Sequence, residues 1–107
     1  MMNVIKLRVS EPWDFETLQG GNMLEGRILK RLDSKMLIFE ATEATSLKGL
    51  TSRYWLLSAR YEKQTFEVEP YHGTVNGALL PTLPAEDDNL MTIQKGSVFA
   101  IIGSLQV

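Results

Sequence analysis

Cysteine is absent, and histidine occurs once, as His72. The first absence removes disulfides, thiolate metal ligands and cysteine nucleophiles together. Secreted domains of this size often depend on disulfides, so a reducing cytoplasm is the expected location. An excess of one charge is also missing: 11 Lys and Arg against 13 Asp and Glu leave a formal net charge of -2. Dedicated nucleic-acid binders usually carry a clear basic excess. No apolar run reaches the roughly 20 residues that span a bilayer. The opening stretch Met1–Lys6 lacks a signal-peptide core, so no membrane partner is expected. Repeats and low-complexity segments are missing too. What remains is 107 residues, 44% of them hydrophobic, enough for one core. Residues 1–107 are therefore expected to form a single domain.

The segment from Arg53 to Tyr61 concentrates one of the two tryptophans, two of the three tyrosines and two arginines. With period two, Trp55, Leu57 and Ala59 share one face, and Tyr54, Leu56 and Ser58 share the other. A half-wet strand has one polar face, and this segment has none until its ends. It reads as a central strand of a compact β-fold. Arg53 and Tyr54 then emerge at one rim, Arg60 and Tyr61 at the other, roughly 20–25 Å apart.

Alternation predicts further strands. In residues 3–9, Ile5, Leu7 and Val9 oppose Val4, Lys6 and Arg8. Ser10-Glu11-Pro12 has the signals of a helix start, and Trp13 and Phe15 follow as covers for an open sheet end. Residues 23–32 and 35–40 form a predicted hairpin, with Leu24, Ile28 and Leu32 on one side and Arg27 and Arg31 on the other. Residues 41–50 fit either a helical turn or a polar excursion. Thr65–Glu69 alternates like a strand, hairpinned to the central one through 61–65. Asn76-Gly77 is the strongest tight-turn signal. A last hairpin is expected from 89–93 and 97–102, turning at Lys95-Gly96. Met23, Met36 and Met91 are expected as gap-filling core residues. The sum is an all-β fold: a small closed or partly open β-barrel of six to seven mostly antiparallel strands, with one or two short helical turns.

Chemistry is sparse. His72, in Pro70-Tyr-His-Gly73, has no partnered nucleophile, so an enzymatic or small-ligand pocket around it ranks third among the functional readings. Glu86-Asp87-Asp88 lacks the alternating ligands and glycine bend of a calcium loop. No metal and no cofactor are expected. Pro81-Thr-Leu-Pro84 has PxxP spacing but reads as a stiff loop.

Between residues 27 and 35, Arg27, Lys30, Arg31 and Lys35 stand against Asp33. With Arg60 and an aromatic platform they suggest single-stranded nucleic-acid binding as the second reading. The leading expectation is a non-enzymatic binding module, accessory, regulatory or inhibitory, that contacts another protein or a second copy of itself. Aromatics and arginines dominate interface energies. The candidate contact residues are Trp13, Arg27, Arg31, Arg53, Tyr54, Arg60 and Tyr61.

Overall fold

The structure, a computed structural model, describes residues 4–12, 23–47, 49–67 and 71–106. Among the described residues, six strands run β1 (Ile5–Pro12), β2 (Met23–Asp33), β3 (Met36–Leu47), β4 (Leu50–Ala59), β5 (Gly73–Leu80) and β6 (Val98–Gln106), with one helix, α1 (Leu90–Lys95), before β6. Each strand pairs antiparallel with its neighbours in chain order, and β1 pairs with β6 to close a barrel. The predicted all-β barrel with a short helical turn is the observed fold.

Period-two alternation fills the interior. Ile5, Leu7 and Val9 of β1 are buried, while Val4, Lys6 and Arg8 are exposed. Trp55 lies opposite Phe39 of β3 on one side and Leu79 of β5 on the other, and all three are fully buried. Leu37, Leu57, Val75 and Leu105 complete this core. Each such side chain stabilises the fold by about 1.5–3 kcal/mol relative to exposure.

Phe66 stoppers one end. Its amide donates to the Ser34 carbonyl at 2.7 Å, and its ring meets Tyr71 edge-on at 6.0 Å between centroids. Lys35 Nζ ties the same loop down by donating to the carbonyls of Glu62 and Gln64. The stretch predicted as a strand, 65–69, is therefore a plug over its described part, Thr65–Glu67, and β4 pairs with β5 instead. Val68–Pro70 lie outside the described residues.

A second, smaller cluster lies on the outside of the wall. Ile38, Leu56, Ala78 and Leu80 point away from the interior and are buried beneath Ile93 of α1. Hence β4 is apolar on both faces, as its sequence predicts: Trp55 and Leu57 inside, Leu56 outside.

Several other expectations are corrected. Glu11 and Pro12 pair with Ile102 and Ile101, so β1 runs through the predicted helix start; proline is tolerated because it closes the strand. The segment 41–50 is neither helix nor excursion. β3 extends to Leu47 and turns at Gly49, whose φ of 80° suits glycine. Asn76-Gly77 is internal to β5, because both residues find ladder partners on β4 and on β6. Residues 90–95 are helix rather than strand, since Asn89 Oδ1 caps the Thr92 amide at 2.9 Å and Ile93 docks on the wall. Met23 and Met91 are exposed, and only Met36 serves as packing, against the outer cluster.

Replacing Trp55 by Ala should cost about 3–5 kcal/mol in urea unfolding. A change below about 1 kcal/mol would contradict its place at the barrel centre.

Candidate functional site

An outer groove of about 270 Å³ lies between the β2–β3 wall and the loop leading to α1. Its origin is local. In β2 the register slips between Ile28 and Lys30, so Leu29 is an extra residue. Such a bulge re-aims the side chains that follow. Ile28 packs on the interior, but Leu29 and Leu32 join the outer cluster. Sequence alternation had placed Leu32 on the face of Leu24 and Ile28, and the bulge breaks that continuity.

The opposite wall is built by the loop. Asp88 Oδ2 accepts from the Ala85 amide at 2.9 Å, and Asn89 caps α1. Gln94 Nε2 donates to Met36 Sδ at 3.3 Å, linking helix to β3. Pro84 lines the groove, while Leu83 stands at its edge 55% exposed. The floor is Leu29, Leu32, Ile38 and Ile93. Arg27 and Lys30 border it on β2, Glu40 on β3 and Glu86 on the loop. Arg27 Nε meets Glu40 Oε1 at 3.0 Å, an exposed pair worth at most about 1 kcal/mol.

A second cleft, of about 250 Å³, opens where β2 and β3 part beyond the Gly26–Ala41 pair. Gly26 is required at that fork, because a Cβ would overlap the Glu40 carbonyl. The cleft is lined by Met23–Glu25 and Ala41–Thr45 and offers little large apolar surface.

The predicted contact residues are dispersed. Arg27 lies on the outer wall, at the groove. Arg31 pairs with the interior residue Leu37, and its Nη1 donates to the Phe66 carbonyl at 3.4 Å. Arg27 and Arg31 thus do not share a side, as strict alternation required, because the Leu29 bulge separates them. Arg53 and Tyr54 sit within β4 rather than at a rim, since the strand begins at Leu50. The Arg53 guanidinium lies 5.8 Å from the Tyr54 ring centroid, within cation–π range. Arg60 donates to Asn76 Oδ1 at 2.9 Å, and Tyr61 is exposed just past β4. Trp13 lies outside the described residues.

His72 is exposed immediately before β5 and lines neither cleft. Among the described residues no group of three His, Cys, Asp or Glu could hold a metal ion. No described helix is long and apolar enough to cross a membrane. Comparison with protein families, curated proteins and solved structures returns no significant match.

Sequence reasoning missed Leu29, Leu32, Ile38, Leu83 and Ile93 as a site. One signal was available: Asn89 preceding Leu90 and Ile93 is a capping residue before helically spaced apolar positions.

The groove makes a paired prediction. Ile93→Ala should destabilise the fold by about 2–5 kcal/mol, as a core truncation. Leu83→Ala should stay within about 0.5 kcal/mol, as an exposed one. Equal costs in urea unfolding would mean that the groove is closed over Leu83.

Proposed function

We propose that this barrel is a non-enzymatic binding module, accessory, regulatory or inhibitory, that engages a protein partner through the outer groove. The observation that carries the reading is the groove on the outer wall, where exposed Leu83 and half-buried Leu29 and Leu32 are bordered by charges of both signs. Protein interfaces combine an apolar centre with a polar rim in this way. The centre of the barrel is filled by Trp55, Phe39, Leu57 and Leu79. Small barrels are commonly filled by their own side chains.

Recognition on this wall is a matter of shape and burial more than charge. Arg27 is already neutralised by Glu40, so the basic border is Lys30 with a screened arginine beside it. Leu83 supplies exposed apolar area at the edge, and a partner that covers it gains hydrophobic free energy without first removing a core contact. A reducing cytoplasm is the proposed setting, on the absence of cysteine.

The test is affinity capture from the native cell with wild-type bait and with Leu83→Asp bait, each shown to be folded by thermal unfolding. A partner retained by wild type should be lost, or reduced at least about tenfold, on the variant. Equal capture of every protein by both baits would remove the groove as the binding surface.

A further inference from the structure

We infer that the partner seated in the groove is a second copy of this chain, in a closed two-fold dimer. The inference rests on the groove reading above and deepens it. Its ground is that the surface is complementary to itself.

A two-fold interface places one patch against the same patch on the other subunit, so each patch must carry both halves of every contact. This wall does. The exposed Leu83 and the half-buried Leu29 and Leu32 lie on one face of the barrel, around one groove. A projection and socket on different faces would build open chains; on one face they close a pair. Each Leu83 can then enter the partner's groove while its own groove receives the partner's Leu83.

Charge follows the same rule. Lys30 borders the groove on β2, and Glu86 borders it on the loop opposite. Neither makes an ion pair within its own chain among the described residues. A two-fold axis running along the groove brings Lys30 of each copy toward Glu86 of the other, so two complementary contacts form from one pair of residues. Unlike charges across an interface fix orientation and exclude wrong registers more than they add affinity. Arg27 contributes less, because Glu40 already sits against it.

The experiment is sedimentation equilibrium of the intact chain from micromolar to near-millimolar concentration. Wild type should fit a monomer–dimer equilibrium, with no higher species. Leu83→Asp should weaken association at least about tenfold. Lys30→Glu and Glu86→Lys should each weaken it about three- to tenfold, and the double exchange should return it to within about threefold of wild type. That recovery is the sign of a Lys30–Glu86 contact across the axis, because general loss of fold would not be rescued. Thermal unfolding of each variant separates weakened association from loss of fold.

A wild-type chain that stays monomeric at the highest concentration overturns the inference. If Leu83→Asp bait nevertheless loses a captured protein, the groove reading stands and its partner is a different chain. A dimer indifferent to Leu83→Asp, or a double exchange weaker than either single one, overturns this geometry.

Discussion

The structure depends on one strand being buried on both faces. β4 carries Trp55 and Leu57 into the barrel and Leu56 outward beneath the helix side of the wall. A strand of an antiparallel barrel ordinarily needs only its inner face covered. Because Leu56 is apolar too, the outer wall must be shielded, and Ile38, Ala78 and Leu80 on β3 and β5 extend the requirement. The chain meets it with a six-residue helix that is too short to persist alone and is held by its Asn89 cap and by Ile93.

That cover is partial, and its incompleteness makes the site. One helix shields β3–β5, but on β2 Leu29 faces outward by alternation and the bulge there adds Leu32 to the same side, and both leucines stay only half-buried against the cluster. The loop around Pro84 borders them without closing over them. A partner that completes the cover would bury Leu83 together with the half-buried Leu29 and Leu32. Structure and proposed function are thus two consequences of the same surplus of apolar residues on the outer wall.

Much of this was legible from the residues. The double-sided character of β4, the wet and dry faces of β1 and the barrel class all follow from period-two alternation, which is a local property. What stayed hidden depends on partners distant in sequence. Asn76-Gly77 has every local property of a turn, yet ladder pairing on both sides holds it straight within β5. Phe66 alternates with its neighbours like a strand residue, yet the open barrel end behind Ser34 recruits it as a plug. The site was the least legible part. An extra residue at position 29 reverses the faces that follow it, and no single sequence marks where such a slip occurs. Arg27 and Arg31 were separated by that one insertion.

The most direct test of a double-cored wall exploits the absence of cysteine, since a single introduced thiol is the only one in the chain. Maleimide labelling would be followed in native buffer, at low protein concentration, for Leu56→Cys and for Leu83→Cys. The thiol at position 83 should react at nearly the rate found in denaturant. The thiol at position 56 should react at least about 100-fold more slowly, limited by opening of the outer cluster. Labelling of position 56 as fast as position 83 would contradict the account, because the outer face of β4 would then be open to water.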